Sequence, residues 1–274
     1  MLKQACIAQA FGNAADSYDH SAALQRDVGM ALLQTLPQKV LQEKSLGRGG
    51  HWLDLGCGTG HFSQNIAAEY AEDLVAMDIA APMVMMTRSR FKVGCSVSCI
   101  QGRAETLPLE SESLDVVFSN FVFQWSEDVA EVVAECLRVL KPGGVLVFSV
   151  PGEMTLNELR SSWQQVDSFD HVNSFYSKNE LATLLSNTMV SLGLSESSVS
   201  ISKNFRVTQY LNVKALLMDL KNIGANRIKG KQKKGLLGKK RYQALQNAYE
   251  RYRSDDGFLP ATYEILNVRI QKPA

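Results

Sequence analysis

A glycine-rich turn and a more distant carboxylate are the residues whose types and spacing best fit a bound ligand. Residues 53–60 read Leu-Asp-Leu-Gly-Cys-Gly-Thr-Gly, a short apolar run that enters a GxGxG turn. Glycines there let the backbone approach a ligand closely, because a side chain would occupy the ligand's volume. Asp78 ends the next apolar run, about 20 residues beyond Gly56, where a carboxylate can accept hydrogen bonds from both hydroxyls of a ribose. The pair predicts a nucleoside cofactor.

The turn favours S-adenosylmethionine (SAM) over a dinucleotide. The dinucleotide fingerprint GxGxxG requires its third glycine at position 61, which is His61 in this sequence. SAM has no pyrophosphate to bind at a helix N-terminus, so the shorter GxGxG turn suits its methionine part. A turn that only packs a helix against a sheet is the structural alternative, and an acid at matching separation argues against it.

Other chemistries have little support in the sequence. The cysteines are five in number, with no CxxC pair, and the four histidines do not fall at HxxxH or HExxH spacing. A disulfide framework and a metal site are therefore not expected. No apolar run approaches about 18 residues, and the N-terminus lacks the apolar core of a signal peptide. We expect a cytoplasmic protein that does not span a membrane.

A mainly parallel sheet must position the turn. Short apolar runs alternate with helical stretches from residue 51 to residue 150, which is typical of strands buried on both faces. The predicted strands are 51–56, 73–79, 96–102, 114–120 and 143–150, and the helices between them are 62–70, 82–91 and 128–140. A helix over 21–36 precedes this core. Beyond it we predict helices at 154–169 and 178–189, an extended run at 199–210, helices at 213–223 and 239–253, and a strand at 265–271.

Composition is compatible with one globular unit of 274 residues, with 45% hydrophobic and 21% charged residues and a net charge of +1. We divide it into an N-terminal helical cofactor cover (1–45), a cofactor-binding core (46–150), and the remaining strands with an inserted helical substrate lid (151–274). These parts are expected to form a single compact domain.

Four segments together resemble the successive motifs of class I SAM-dependent methyltransferases. They are LDLGCGTG at 53–60, Asp78, GRAETLPL at 102–109 and LDVVFSNFVFQW at 114–125. The resemblance implies a Rossmann-like α/β fold with a mainly parallel seven-stranded sheet, helices on both faces and a helical lid. It also implies that residues 103–105 flank adenine and that residues 120–124 line the methionine and substrate side. Arg103 departs from the family pattern, which often has an acid there.

The remaining segments resemble the malonyl-acyl carrier protein O-methyltransferases of biotin synthesis. They are residues 11–19 with 24–26, 169–175, 220–226 and 257–264. The resemblance implies methyl transfer from SAM to the free carboxyl group of malonyl-acyl carrier protein or malonyl-CoA, with S-adenosylhomocysteine (SAH) as the product. Such a carboxylate is ionised at pH 7 and is itself the nucleophile, which agrees with the lack of an obvious catalytic base.

Individual residues follow from these resemblances. Tyr18 is expected to close over the cofactor and orient the methyl group or the carboxylate; packing of an N-terminal helix is its structural alternative. Arg26 can hold the methionine or the malonyl carboxylate, or lie on a solvated helix face. The expected cofactor-binding residues are Tyr18, Arg26, Asp54, Gly56, Cys57, Gly58, Gly60, Asp78, Ile79, Met83, Arg103, Ala104, Glu105 and Asn120. The expected substrate residues are Gln124, Trp125, His171, Asn173 and Lys221.

A basic run could bind the carrier protein. Residues 221–241 contain nine lysines and arginines and no acid. Acyl carrier proteins are strongly acidic, so a docking patch is one hypothesis. A solvated segment and a nucleic-acid site are the alternatives, and the lack of aromatic residues within the run weakens the latter.

Two other functions remain open at this point. One is a methyltransferase that acts on a carbon atom of a quinone precursor or on a small acid such as aconitate. Methylation of a carbon nucleophile would require a catalytic base. The other is a SAM-binding assembly or regulatory protein without catalysis, because the glycine turn and Asp78 indicate binding alone.

Overall fold

A computed structural model describes residues 4–37, 50–195, 198–225 and 238–274. Within these residues, seven strands form one sheet in the order β3-β2-β1-β4-β5-β7-β6. The strands are β1 Gly50–Leu55, β2 Ala71–Asp78, β3 Val97–Gln101, β4 Leu114–Asn120, β5 Leu140–Pro151, β6 Val199–Tyr210 and β7 Leu259–Gln271. Neighbours among β1 to β5 are parallel, whereas β7 is antiparallel to both β5 and β6. The predicted mainly parallel seven-stranded fold is confirmed.

Helices cover both faces of the sheet. They are α1 Gln4–Ser21, α2 Ala23–Leu33, α3 His61–Glu69, α4 Ala81–Ser89, α5 Val129–Val139, α6 Asn157–Gln164, α7 Lys178–Ser191, α8 Val213–Asn222 and α9 Lys239–Tyr249. Short 3₁₀ helices follow β4 at Phe123–Trp125 and α9 at Glu250–Tyr252.

Burial on both faces explains why the central strands are continuous apolar runs. In β4, Val116 and Phe118 pack with α2 and α3, while Leu114 and Val117 pack with α5 and α7. Successive side chains of a strand point to opposite faces, so a strand covered on both sides needs apolar residues at every position. The parallel order then brings the carboxyl ends of β1, β2, β3 and β4 to one edge of the sheet.

The N-terminal part corrects the prediction of a single helix over 21–36. Two helices, α1 and α2, meet at Ala22, and α1 begins at Gln4. Helical spacing in α1 is hard to read because its buried side chains are mostly small: Ile7, Ala10, Ala14 and Ala15. This helix packs against α4 and α8.

Two element boundaries in the C-terminal part also differ from the prediction. The helix predicted over 154–169 is confined to α6, because Leu156 has a φ of +55° and its amide donates to the Thr262 carbonyl at 2.6 Å. The strand predicted over 265–271 already begins at Leu259, since β6 pairs with β7 as far as that residue. Among the described residues, no helix is both long and apolar enough to cross a membrane.

Candidate functional site

The glycine turn presents bare backbone at the end of β1. Gly56, Gly58 and Gly60 have φ angles of 78°, 55° and 88°, which residues with side chains rarely adopt. A Cβ atom at Gly56 would lie 2.1 Å from Val122 Cγ2, whereas one at Gly58 would meet only the Tyr18 ring, at 3.9 Å. The backbone at Gly58 therefore opens onto the space that Tyr18 borders.

Asp78 stands at the end of β2 and holds the turn in place. Its Oδ2 accepts a hydrogen bond from the Gly58 amide at 3.0 Å, and its Oδ1 accepts one from the Ala80 amide at 2.8 Å. Burial raises the pKa of Asp78, and the hydrogen bonds from these backbone amides oppose that rise. The carboxylate is thus fixed at the carboxyl end of β2, directly beside the glycine turn.

A cavity of about 760 Å³, including its open mouth, lies over the turn and Asp78, and we call it the cofactor cavity. The apolar side chains of Ile79 and Met83 line it, together with Ala104 and the buried Glu105. Its lining residues are Gln4, Ile7, Phe11, Tyr18, Leu55, Gly56, Gly58, Asp78, Ile79, Met83, Gly102, Ala104, Glu105, Asn120, Phe121, Val122, Phe123, Trp125 and Ser126.

A smaller polar pocket adjoins the cofactor cavity and shares Tyr18, Gly56, Gly58 and Asn120 with it. Its other lining residues are Asp19, Ala22, Gln25, Arg26, Asp54, Cys57, Thr59, His61, Phe62 and Phe118.

Asp54 is buried in the wall of the polar pocket. Its Oδ2 accepts a hydrogen bond from Ser63 Oγ at 2.6 Å, and burial raises its pKa to about 7. Arg26, whose Nη1 donates to the Asp19 carbonyl at 2.7 Å, supplies a positive charge to the same pocket.

A second cavity, of about 740 Å³ including its open mouth, is also lined by Tyr18. It shares a wall of four aromatic side chains with the cofactor cavity: Phe11, Tyr18, Phe121 and Trp125. Its remaining lining residues are Leu24, Gln25, Gln124, Pro151, Thr155, Leu156, His171, Val172, Asn173, Phe175, Leu220, Ile223, Ala225 and Tyr263. Molecules bound in the two cavities would both contact these four side chains.

Tyr18 is the polar member of the aromatic wall. Burial raises the pKa of its phenol, and the nearby carboxylates of Asp78 and Asp19 raise it further. The hydroxyl group therefore keeps its proton at neutral pH and can donate a hydrogen bond. This favours an orienting role over that of a base.

Phe121 is a wall residue within the range 120–124, which the family resemblance implied for the methionine and substrate side. It follows β4 with a φ of +58°, a conformation that is uncommon for a residue with a bulky side chain. Ser149 holds it there, because the Phe121 amide donates to both the carbonyl and the Oγ of Ser149 at 3.1 Å.

His171 is fixed at the edge of the second cavity. Its ring stacks on Trp163 with centroids 3.7 Å apart, and its Nε2 lies 2.8 Å from Asp167 Oδ1. Arg241 of α9 forms an ion pair with the same carboxylate. Burial opposes ionisation of Asp167, but the hydrogen bonds from Arg241, the Phe169 amide and His171 outweigh it and lower the pKa to about 2.

The segment 257–264 builds the floor of the second cavity. Tyr263 lines the cavity, and the buried Glu264 accepts a hydrogen bond from the Met154 amide at 2.8 Å. The Glu264 carbonyl also accepts one from Thr155 Oγ1 at 3.0 Å, and Lys203 balances the charge of Glu264 at 2.9 Å. The motif that resembled the family therefore positions the chain around Thr155.

Most of the predicted site residues lie together. Of the predicted cofactor residues, all except Gly60 and Arg103 line the cofactor cavity or the polar pocket. Gly60 packs against α4, where a Cβ atom would lie 2.9 Å from Thr87. The Arg103 side chain is 57% exposed and lies 3.7 Å from Glu105 Oε2.

The predicted substrate residues form a second group. Gln124, Trp125, His171 and Asn173 line the second cavity. Lys221 is exposed and does not line it, although its neighbour Leu220 does. Of the basic run at 221–241, residues 226–237 lie outside the described residues.

Asp19 was not predicted, yet it fastens α1 to the glycine turn. Its Oδ1 accepts a hydrogen bond from Thr59 Oγ1 at 2.5 Å, and its Oδ2 forms an ion pair with Arg90, the residue that follows α4. Arg90 also donates to the Thr59 carbonyl. These contacts hold Tyr18 and Arg26 close to the cofactor cavity.

Known proteins resemble this chain at two levels. The methyltransferase domain family matches residues 53–148. A malonyl-[acyl-carrier protein] O-methyltransferase of Methylococcus capsulatus is 36% identical over 270 residues, which cover 97% of this chain and 93% of the relative. One from Gallionella capsiferriformans is also 36% identical, over 100% of this chain and 92% of the relative.

A longer relative and a solved structure extend the comparison. The biotin biosynthesis bifunctional protein BioHC of Cellvibrio japonicus is 39% identical over 97% of this chain, which spans 50% of that protein. The crystal structure of the YcgJ protein from Bacillus subtilis has a TM-score of 0.55 and 18% identity, covering 82% of this chain and 93% of that one. The structural likeness concerns the fold alone.

Proposed function

The chain belongs to the malonyl-[acyl-carrier protein] O-methyltransferase family, and from this premise we propose that it methylates the free carboxyl group of malonyl-acyl carrier protein or malonyl-CoA. SAM is the proposed methyl donor, and the product is the methyl ester of an early biotin precursor. The observation that carries the proposal is the aromatic wall shared by the cofactor cavity and the second cavity. It offers one place where donor and acceptor can meet.

The residues of the cofactor cavity suit SAM. Asp78 can accept the ribose hydroxyls, and Ile79, Met83 and Ala104 offer apolar surface to adenine. In the polar pocket, Arg26 can pair with the methionine carboxylate. When bound, SAM supplies a methyl group on a positively charged sulfur, and the carboxylate oxygen bonds to that methyl carbon as the carbon–sulfur bond breaks to leave SAH.

The protein's task is alignment and exclusion of water. The malonyl carboxylate is already ionised at neutral pH, so no proton has to move. Water solvates a carboxylate and lowers its reactivity, and the aromatic wall excludes it. Tyr18, which keeps its proton, can donate a hydrogen bond that fixes one carboxylate oxygen while the other faces the methyl group.

Mass spectrometry of malonyl-acyl carrier protein after incubation with the chain and SAM tests the proposal. We expect a gain of one methyl mass that mild ester hydrolysis reverses. Methylation that resists hydrolysis would indicate a carbon product and contradict the proposal, as would methylation of aconitate or a quinone precursor in place of the malonyl thioester. Binding of SAH without any methyl transfer would indicate a non-catalytic SAM-binding protein.

We also propose that the basic segment, residues 221–241, docks the acidic carrier protein beside the second cavity. Lys221, Lys239 and Lys240 are exposed, and the neighbouring residues Leu220 and Ala225 line that cavity. Arg241 is not available for docking, because Asp167 pairs with it. A carrier bound here could direct its thioester arm past His171 towards the aromatic wall.

Charge reversal tests the docking. With Lys221, Lys239 and Lys240 all changed to Glu, KM for malonyl-acyl carrier protein should rise about tenfold at low salt, and the rise should shrink as salt screens the charges. The Kd of SAH and the KM of malonyl-CoA should stay unchanged. An unaltered KM for the carrier substrate would remove the docking proposal and leave the methylation proposal intact.

A further inference from the structure

The imidazole ring of His171 is held in one orientation by its neighbours. Its Nε2 lies 2.8 Å from Asp167 Oδ1, and its ring stacks on that of Trp163 with an interplanar angle of 12°. Arg241 forms an ion pair with the other carboxylate oxygen of Asp167. These contacts fix both the plane of the ring and the edge that faces Asp167.

The contact with Asp167 decides which nitrogen of His171 carries the proton. A carboxylate accepts hydrogen bonds but does not donate them, so Nε2 is the nitrogen that donates. In the neutral imidazole, Nδ1 then carries a lone pair and acts as an acceptor. Arg241 already balances the charge of Asp167, so the contact does not require a protonated ring.

Nδ1 of His171 is open to a ligand. It has no hydrogen-bond partner among the described residues, and it is not sealed from solvent. The His171 side chain is 18% exposed and lines the second cavity, whose neighbouring lining residues Val172, Phe175 and Leu220 are apolar. An acceptor in such surroundings favours a ligand that brings an N–H or O–H group, because a donor that leaves water must find a new partner.

Resting on the proposed function, we propose that His171 Nδ1 accepts a hydrogen bond from an amide N–H of the substrate's pantetheine arm, at the amide nearest the thioester sulfur. Acyl carrier protein and CoA present malonate on the same arm, a chain of methylene groups and amides, so both proposed substrates carry this donor. With the malonyl carboxylate at the aromatic wall, the thioester and the first part of the arm extend through the second cavity, which His171 lines. His171 is thereby a specificity-determining residue that does not touch the reacting atoms.

Such an acceptor distinguishes an amide from an ester in the arm. An ester oxygen in place of the N–H preserves the length of the arm but places a second acceptor opposite Nδ1. A site that hydrogen-bonds one ligand rejects the analogue that leaves its polar group unpaired. The natural chain should therefore prefer the amide.

Steady-state methylation of malonyl-pantetheine, and of the analogue with an ester oxygen in place of that N–H, tests the proposal. The natural chain should have a kcat/KM at least about tenfold higher for the amide substrate. His171→Phe keeps a ring that can stack on Trp163 but removes the acceptor. In this variant kcat/KM for the amide substrate should fall about tenfold while that for the ester analogue changes little, so their ratio falls towards one.

A matched control is His51→Phe. His51 also contacts a carboxylate, with 3.2 Å between its Nδ1 and Asp73 Oδ2, but it is about half exposed and lines neither cavity. This variant should keep the ratio of the natural chain. In both variants the Kd of SAH should stay within about twofold of the natural value.

Equal loss of kcat/KM for both substrates in His171→Phe would overturn the proposal and leave His171 a structural role only. Equal use of the two substrates by the natural chain would overturn it without any variant. Methylation of malonyl-acyl carrier protein but of neither pantetheine thioester would also overturn it, because the arm would then carry no recognition of its own. A natural chain that methylates none of these substrates would instead sink the proposed function, and this inference with it.

Discussion

Two acids, Asp54 beside the cofactor cavity and Asp167 beside the second cavity, have pKa values shifted in opposite directions. Asp54, beside the cofactor cavity, has only the hydroxyl group of Ser63 as a side-chain partner, and burial raises its pKa to about 7. Asp167, beside the second cavity, is bound by Arg241 and His171, and its pKa falls to about 2 despite its burial. In the first region, burial without a charged partner favours the protonated acid, whereas in the second region the hydrogen bonds from Arg241 and His171 favour the ionised acid, which in turn fixes the His171 ring.

The largest expected effect concerns the cofactor cavity alone. Asp78→Asn should raise the Kd of SAH at least about 100-fold, because two hydrogen bonds from ribose to a charged acceptor are weakened. Isothermal titration calorimetry measures this change in Kd. Asp73→Asn on the same strand is the control, since Asp73 is about half exposed and pairs with the exposed His51. A Kd within threefold of the natural chain's would show that Asp78 does not hold the ribose.

Substitutions in the aromatic wall between the two cavities should change kcat. Tyr18→Ala opens the aromatic wall to water and should lower kcat about 100-fold, whereas Tyr18→Phe keeps the wall and should lower it about tenfold. Because the pKa of Tyr18 is raised, the natural chain should show no loss of kcat from Tyr18 ionisation between pH 7 and 9. Fixed-time assays of methyl transfer at saturating SAM measure kcat of the two variants and its pH dependence in the natural chain. Equal kcat for Tyr18→Phe and the natural chain would leave the hydroxyl without a role.

A substitution beside the second cavity should leave the binding of SAH in the cofactor cavity unaffected. Asp167→Asn weakens the hold on His171 and should raise KM for the malonyl substrate about tenfold, while the Kd of SAH stays within twofold. Asp170→Asn, at an exposed neighbouring position, serves as the control. A parallel loss of SAH affinity would mean that the two cavities are not separate functional regions.

The smallest effects are on stability, and they should have opposite signs. The raised pKa of Asp54 means that the folded chain keeps a proton between about pH 4 and 7 that the unfolded chain has lost, so stability falls as pH rises through this window. Asp54→Asn removes this penalty and should stabilise the chain at pH 8 by about 1–2 kcal/mol.

Asp167 behaves in the reverse way. Its depressed pKa contributes stability above about pH 4 that is lost as pH falls towards 2, so Asp167→Asn should destabilise the chain at pH 8. Thermal unfolding of both variants at pH 5 and pH 8 measures the difference. Two shifts of the same sign at pH 8 would break the contrast between the regions.

The same contrast explains what the sequence could predict. The cofactor side depends on residues at the ends of adjacent parallel strands, such as Gly58, Asp78 and Ala104, which the sheet topology necessarily brings to one edge. Motif spacing therefore located Gly58 and Asp78, and the family resemblance located Ala104. Arg103 was the exception, because a charged side chain next to a cavity can turn outwards to solvent.

The second cavity depends on packing between distant segments. Phe11, Phe121 and Tyr263 meet there only because α1, the end of β4 and β7 converge, and no local spacing encodes that convergence. The small buried face of α1 hid the helix that carries Tyr18 and Gln4. For the same reason, His171 was identified through family resemblance while its partners Asp167 and Arg241 were not.

The central claim is that donor and acceptor meet at the aromatic wall, and a crystal structure with SAH and a non-reactive malonyl-pantetheine analogue tests it most directly. The account predicts the ribose of SAH at Asp78 and the malonyl carboxyl group beside Tyr18, with the pantetheine arm in the second cavity. An analogue bound outside the second cavity, or one that displaces SAH from the cofactor cavity, would contradict it.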